Sequence, residues 1–205
     1  MEGFFLTEYE IPRGRKTVTR TIRIDEEVDR NLAELAFKER TSVNYLVNNA
    51  LRRYVEWDYL AAKYGVISNF IPASKKQMDY LTDEEVIDLA EWVGKNVFKE
   101  YVMFFFKSQD VESMLKSIRL LGSSGNFQYE DYVDGDVHKV ICKHDCGPKW
   151  SLYYETVFRC VFGDIGVAAK VESTEDQVLI QLNAPKHRFL SPLYEGFQES
   201  VHATR

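Results

Sequence analysis

Three side chains at alternating positions, Thr19, Thr21 and Arg23, are of types that hydrogen-bond to the edges of base pairs. An arginine can donate two hydrogen bonds to one guanine, and a threonine offers both a hydroxyl and a methyl group. Ile22 lies between Thr21 and Arg23, and Ile24 follows Arg23. In a strand, the two isoleucines would therefore lie on the face opposite the polar residues. Two threonines and an arginine make a poor core face. The alternation therefore indicates a strand whose polar face contacts another polar molecule.

Basic residues are concentrated around the same stretch. Residues 13–24 contain no acidic side chain and include Arg13, Arg15, Lys16, Arg20 and Arg23. The whole chain has a formal net charge of −6, so this positive charge is local, as in a surface that binds phosphate groups. We expect Arg13, Arg15 and Lys16 to form an arm that contacts a phosphate backbone, and we expect Arg20 to contact it as well. The alternative for the arm is a solvated tail.

Two amphipathic helices are predicted after the strand. Asp25 is a suitable N-cap for the first, and Glu26 and Glu27 follow where the helix dipole favours acidic groups. Apolar stripes of helical period run along both helices: Val28, Leu32, Leu35 and Ala36, then Val43, Leu46, Val47, Ala50, Leu51, Tyr54 and Val55. Thr41 or Ser42 caps the second helix, and the backbone amides after this cap suit a phosphate group.

A lone strand leaves its backbone N–H and C=O groups without partners, so we expect the stretch Thr19–Ile24 to pair with a second copy of the chain. A two-stranded ribbon of this kind fits the major groove of DNA. The pattern resembles the ribbon-helix-helix family of DNA-binding proteins (Arc, MetJ and CopG are examples) over about a fifth of the chain. The alternative is a helical hairpin that packs on the rest of the chain beside an ordinary edge strand.

The resemblance implies an intertwined dimer bound to double-stranded DNA. By resemblance, Thr19, Thr21 and Arg23 read bases, while Ser42, Val43 and Asn44 hold phosphate. The turn between the two helices often contains glycine in this family, whereas here it is Glu39-Arg40-Thr41.

The composition narrows the class of protein. No apolar run approaches the roughly 20 residues of a membrane-spanning helix, and Met1–Leu6 is too short and acidic for a signal peptide. The three cysteines are an odd number and indicate no disulfide framework. We therefore expect a cytoplasmic protein without a membrane partner.

We predict an α+β protein with a ribbon-helix-helix domain over residues 1–64, a linker over 65–82 and a sensing or oligomerisation domain over 83–205. The second helix is expected to extend through Leu60 and Tyr64 to Gly65, and Phe70 and Ile71 indicate a linker that is partly docked rather than a free tether. A capping box at Thr82–Glu85 opens a helix with the stripe Val86, Leu89, Ala90, Val93 and Val97. Strands are expected at Glu100–Phe106, Asn126–Val133, Val137–His144, Val167–Glu172 and Val178–Leu182, and helices at Asp110–Leu121 and Trp150–Phe162. Without the last strand, this β-α-β-β-α-β-β order is ferredoxin-like, an open sheet with helices on one face.

Ligand-competent side chains alternate near the end of one predicted strand. Cys142, His144 and Cys146 share one parity and are weak candidates for a zinc or nickel site. Nickel-responsive repressors join a ribbon-helix-helix to a ferredoxin-like domain, and the chain resembles that layout loosely, with different ligand spacing. The alternative is a core face, because Lys139 and Lys143 occupy the opposite parity, with Cys142 as a small apolar filler.

The following turn and helix form a polar and aromatic cluster. His144, Lys149, Trp150 and Tyr154 suit a pocket for a small anionic or aromatic ligand. An aromatic helix face is more often core, and that is the alternative.

These features favour a sequence-specific, dimeric transcription regulator, a repressor or an activator, with a tetramer and a small-molecule effector as further expectations. The alternatives are a metal-responsive regulator, an antitoxin-type autoregulator, and a ligand-binding or enzymatic domain whose N-terminal part only holds a dimer together. We do not expect an enzyme, because the sequence contains no G-x-S-x-G, P-loop or Rossmann pattern.

Overall fold

The computed structural model describes residues 18–124 and 127–183. These fall into two compact units, and the boundary between them lies between Ala50 and Leu51. The chain is α+β, with helices and one four-stranded antiparallel sheet.

The first unit contains the first predicted helix and most of the second. Helix α1 is Glu26–Lys38 with Asp25 at its N-cap, and helix α2 is Val43–Arg53. The cap of α2 is Ser42, whose Oγ accepts a hydrogen bond from the N–H of Tyr45 at 3.1 Å. The predicted start of each helix is therefore confirmed, because both positions have a side chain or charge that suits a helix N-terminus.

The helical backbone continues beyond α2. A π-helical segment covers Tyr54–Asp58, and α3 follows at Tyr59–Tyr64. Gly65 ends it with a φ of 90°, a conformation that a residue without Cβ adopts at little cost. This confirms the predicted extension to Tyr64. Trp57 is buried against Phe105, with ring centroids 5.8 Å apart, so this part of the helix packs in the core of the second unit.

The predicted linker contains a helix, α4, at Ile71–Asp79. Pro72 lies in its first turn, where the missing N–H of proline costs no helical hydrogen bond. The segment is partly docked, as predicted, but not through Phe70 and Ile71, whose side chains are 82% and 48% exposed. Met78, at the other end of α4, is the buried residue instead.

Helix α5, Asp83–Trp92, begins with the predicted capping box. Glu85 N–H donates to Thr82 Oγ1 at 3.2 Å, and Thr82 N–H donates to the Glu85 carboxylate at 2.7 Å. Val86 and Ala90 of the predicted stripe are fully buried, whereas Leu89 is 39% exposed.

The expected strand at Glu100–Phe106 is wrong. A π-helical segment, Val93–Phe98, runs directly into helix α6 at Lys99–Phe106. A short apolar run fits a buried strand and a buried helix equally well. Helical spacing brings Tyr101 and Phe105 together, with ring centroids 4.6 Å apart, and the continuous helix before the run decides its conformation.

The remaining predicted elements are present. Helix α7 is Val111–Ser123 and α8 is Pro148–Asp164, and the strands are β1 Gln128–Asp134, β2 Val137–Lys143, β3 Ala169–Ser173 and β4 Gln177–Asn183. The hairpin between β1 and β2 turns at Gly135, which has a φ of 61°. Asn126, at the predicted start of the first strand of this hairpin, lies outside the described residues.

The sheet order is β1-β2-β4-β3, with every neighbouring pair antiparallel. The ferredoxin-like order is therefore a wrong prediction, because its first strand is helix α6 here. Strand β4 lies between β2 and β3 and hydrogen-bonds to both.

One face of the sheet forms the core of the second unit with α7 and α8. The buried strand residues are Tyr129, His138, Val140, Cys142, Val171, Val178, Ile180 and Leu182. Phe158 and Phe162 of α8 are fully buried with them. The predicted parity of β2 is confirmed, since Lys139 and Lys143 lie on the other face.

Candidate functional site

The candidate base-reading residues lie in an exposed segment. Residues 18–25 form no regular secondary structure in the single chain, and Thr19, Thr21 and Arg23 are all exposed. Ile22 is 55% exposed, so the apolar side of this segment is uncovered as well. A strand requires a hydrogen-bonded neighbour, and within one chain this segment is not hydrogen-bonded into the sheet. The ribbon remains a prediction.

The candidate phosphate-binding residues fall into two groups. Ser42 and Asn44 are exposed at the start of α2, Val43 is half-buried beside them, and Arg20 is exposed. Arg13, Arg15 and Lys16 lie outside the described residues. The first group therefore presents an accessible helix N-terminus, one side chain of which is used for capping.

The turn between α1 and α2 contains no glycine, and a non-glycine residue takes the left-handed conformation there. Arg40 adopts a φ of 53°, the left-handed conformation that glycine usually supplies. Thr41 N–H donates to Ala36 O at 2.9 Å and Arg40 N–H donates to Phe37 O at 3.3 Å. These two bonds form a Schellman motif, which satisfies carbonyls at the end of α1. The tight turn is thus made without glycine.

The predicted apolar stripes of α1 and α2 are largely uncovered in the single chain. Ala36 is the buried residue of α1, and α2 has none. The exposed apolar side chains are Val28, Leu35, Leu51, Tyr54 and Val55. Helices with this much exposed apolar surface on one stripe are typical of a subunit interface.

The four residues of the predicted ligand pocket are close to one another. The ring centroids of Trp150 and Tyr154 are 5.5 Å apart, and those of His144 and Tyr154 are 5.4 Å apart. Their polar atoms already have protein partners: Trp150 Nε1 donates to Ser74 O at 3.2 Å, and Lys149 Nζ donates to Leu81 O. The cluster is therefore closed by the segment that contains α4.

His144 also belongs to a serine–histidine pair that sequence reasoning missed. The N–H of Cys146 donates to His144 Nδ1 at 3.2 Å. With Nδ1 as the acceptor, a neutral ring carries its proton on Nε2 and donates it to Ser151 Oγ, 3.1 Å away. Ser151 lies seven residues after His144, in the first turn of helix α8, and no motif or periodicity in the sequence marks that spacing as a pair.

The geometry of this pair is structural rather than nucleophilic. The hydroxyl of Ser151 donates to Glu175 O at 2.9 Å and is buried. The carboxylate of Asp176 lies 3.9 Å from His144 Nδ1 and accepts instead from Gly147 N–H at 2.6 Å. Burial lowers the pKa of His144, and Lys75 adds to this effect, while Asp176 and Asp145 oppose it. The neutral imidazole therefore ties the end of β2 to α8 and to the turn before β4.

A second, partly buried network joins α7 to the β1–β2 hairpin. Arg119 Nη2 donates to Asp131 Oδ1 at 2.5 Å, and His138 Nε2 lies 3.0 Å from Asp131 Oδ2. Burial raises the pKa of Asp131, but the His138 hydrogen bond and the Arg119 charge outweigh it, so the net pKa is lowered. Asp131 is thus held as a carboxylate between two basic groups.

The candidate metal ligands are not gathered into one site. Cys142 is buried, and burial raises the pKa of its thiol. Cys146 lies beyond the end of β2 and is half-buried in the following turn, where burial also raises the pKa of its thiol. Among residues 18–124 and 127–183, no group of three or more His, Cys, Asp or Glu side chains is arranged to hold a metal ion.

The helices in the described part of the chain include none that is both long and apolar enough to cross a membrane. No protein-family model matches the sequence, and a comparison with curated proteins finds no match.

Proposed function

We propose that the protein is a dimeric, sequence-specific DNA-binding regulator of the ribbon-helix-helix type. Two copies pair the segments around Thr19–Ile24 into an antiparallel ribbon. The ribbon enters the major groove and presents Thr19, Thr21 and Arg23 from each copy. A further α+β unit on the same chain serves in sensing or oligomerisation.

The observation that carries this proposal is the incompleteness of the first unit in a single chain. Ile22 and Leu35 are 55% and 45% exposed, although both lie on the apolar side of a regular pattern. The segment before α1 has no strand partner within the described chain. A second copy would supply the missing strand and would cover the apolar stripes of both helices at once.

The local charge and the helix geometry support DNA as the ligand. Arg20 and Arg23 are exposed next to α1, and α2 begins with an exposed N-terminus capped by Ser42. Backbone N–H groups and the helix dipole at such a terminus attract phosphate. The ribbon-helix-helix fold is defined by a strand, two helices and the turn between them. Here the two helices follow one another with a tight turn between them, as that fold requires.

The extent of the second unit favours a regulator over an antitoxin. Its four-stranded sheet and buried aromatic core span most of residues 51–183. The antitoxin tails that wrap a toxin are usually short and gain order on binding. A C-terminal core that resists limited proteolysis supports the regulator, and one that is digested as fast as an unfolded chain supports the antitoxin.

The test uses a duplex recovered from a random pool by the full chain, with Arg23→Ala and Arg20→Ala as a matched pair. We expect Arg23→Ala to cost about 1–3 kcal/mol on the selected duplex and to relax preference at one position per half-site. Arg20→Ala should weaken binding to every duplex alike and reduce the salt dependence, because it removes a phosphate contact.

The proposal is wrong if the full chain shows no salt-dependent binding to any duplex. A uniform loss for Arg23→Ala would instead keep DNA binding but remove Arg23 as a base-reading residue.

A further inference from the structure

Helix α4 covers the aromatic cluster at the start of α8 but buries little apolar surface in doing so. Met78 is its one buried residue, while Ile71 within it and Phe70 and Tyr80 on either side are exposed. The segment on its N-terminal side, residues 66–70, has no regular structure. Elements with few buried apolar contacts open at a lower free energy than the core that they cover.

Polar side chains of the 145–150 segment and of α4 supply the rest of the attachment, and each donates to a backbone carbonyl. Trp150 Nε1 donates to Ser74 O at 3.2 Å and Lys75 Nζ donates to Asp145 O at 2.8 Å. Lys149 Nζ donates to Leu81 O and, at 3.4 Å, to Asp79 O. Asp79 and Leu81 lie at and just past the C-terminal end of α4, where helix carbonyls lack partners and a lysine is favourable.

The surface beneath α4 has the composition of a small-molecule site. The Trp150 ring lies 5.3 Å from Tyr153 and 5.5 Å from Tyr154 between centroids. Tyr154 in turn stacks on Phe158 at 5.9 Å. Burial raises the pKa of Tyr153 to about 12. Flat aromatic walls with few polar groups are typical of pockets for aromatic ligands.

We propose that α4 is a lid over this cluster and that the site beneath it binds a small aromatic carboxylate. Opening α4 together with residues 80–81 removes the carbonyl acceptors from Trp150 Nε1 and Lys149 Nζ at the same time. A carboxylate supplies acceptors to both donors, and its charge makes the bond to the ammonium group stronger than a carbonyl does. The aromatic part of the ligand stacks on Trp150 and Tyr153 in the space that α4 leaves on opening.

This site is independent of the DNA-binding proposal, since it is formed by residues 74–158 alone. The four sequence-predicted pocket residues take two roles in this site. Lys149 and Trp150 contact the ligand. His144 and Tyr154 position them, since His144 bonds to Ser151 at the start of α8 and Tyr154 packs against Trp150.

The first test is amide hydrogen exchange on the full chain, with phenylacetate as the probe. In the free protein, we expect amides of α4 to exchange sooner than those of α8. Saturating phenylacetate should speed exchange in α4 and slow it in α8, because the ligand binds the open form. Ligand binding to the closed surface would slow exchange in both helices. Equal protection of α4 and α8 in the free protein, or slower exchange of α4 with phenylacetate, overturns the lid.

The second test measures phenylacetate affinity by calorimetry. Met78→Ala weakens closure and should tighten apparent binding several-fold, since closure competes with the ligand. Met103→Ala is the matched control, because Met103 is a partly exposed methionine on α6 and should leave affinity unchanged. Lys149→Gln should abolish the preference for phenylacetate over the uncharged phenylacetamide.

No binding of phenylacetate to wild type or to Met78→Ala at millimolar concentration overturns the ligand class. If Met78→Ala does not fold, the exchange experiment on the wild type and the Lys149→Gln preference decide the question.

Discussion

The two units bury their apolar residues to very different extents. In α1 and α2, Ala36 is the buried residue within the first unit, although both helices have regular apolar stripes. In the second unit, Phe158, Phe162, Ile180 and other large side chains are fully buried. The second unit therefore has a core of its own, whereas the apolar stripes of α1 and α2 are largely exposed in the single chain.

The comparison shows that amphipathic pattern and burial are separate properties. An apolar stripe on a helix indicates which side chains are favourably buried. It does not indicate whether the same chain or another one buries them. A unit with its own core has a stability that is independent of protein concentration. One completed by a second copy gains stability by mass action as concentration rises.

The largest expected effect is in the core of the second unit. Phe158→Ala leaves a cavity beside Tyr154 and Phe98, and it should lower the free energy of unfolding by about 3–5 kcal/mol. Chemical denaturation followed by circular dichroism measures this. The loss should be the same at low and high protein concentration. A loss that becomes smaller at high concentration would contradict the claim that the second unit has a core of its own.

The next effect tests the first unit. Leu35→Ala should weaken dimerisation by about 1.5–3 kcal/mol, because the side chain is covered only when two copies meet. Phe37→Ala is the matched control, since Phe37 is 87% exposed and outside the predicted stripe. Sedimentation equilibrium measures both. Equal effects of the two changes, or a wild type that stays monomeric at all concentrations, would contradict the predicted dimer.

A smaller effect concerns pH and belongs to the second unit. Burial lowers the pKa of His144 in the folded chain below its ordinary value of 6.5. Below pH 6.5 the unfolded chain therefore takes up the proton more readily, and stability falls until the folded pKa is passed. Subtracting the unfolding curve of His144→Gln from that of the wild type at each pH should isolate this fall. A difference that is flat between pH 7 and pH 5 would show that His144 does not contribute.

The smallest effect is at the turn between α1 and α2. Arg40 adopts a left-handed backbone conformation, with a φ of 53°, which costs a side-chain-bearing residue about 1 kcal/mol relative to glycine. Arg40→Gly should raise stability by up to about 1 kcal/mol, measured by thermal unfolding at fixed concentration. A loss of DNA affinity in this variant, with stability gained, would assign Arg40 a contact with phosphate as well.

Local signals in the sequence predicted local features well. Asp25, the capping box at Thr82–Glu85 and the Asp134-Gly135 turn each mark the end of an element, and the structure confirms all three. These signals depend on hydrogen bonds and backbone conformations within a few residues of each other. The parity of β2 followed from Lys139 and Lys143 in the same way.

Signals that depend on distant residues were ambiguous or absent. Tyr101–Phe106 is apolar throughout, so its period could not separate helix from strand, and the preceding helix decides. The partner of His144 is Ser151, and the acceptor for that serine is Glu175 O. Nothing in the spacing of these three residues predicts their contact, because the β3–β4 turn is brought to α8 by the sheet.

The sequence by itself determined which residues begin and end most elements, which side of β2 is apolar, and where positive charge is concentrated. Tertiary structure decided the conformation of residues 99–106, the closure of the aromatic cluster by α4 and the buried bonds of His144 and Asp131. The physical reason is range: caps, turns and periodicity act between neighbours along the chain. A short apolar run or a buried polar group takes its conformation and its partners from whatever segment the fold places against it.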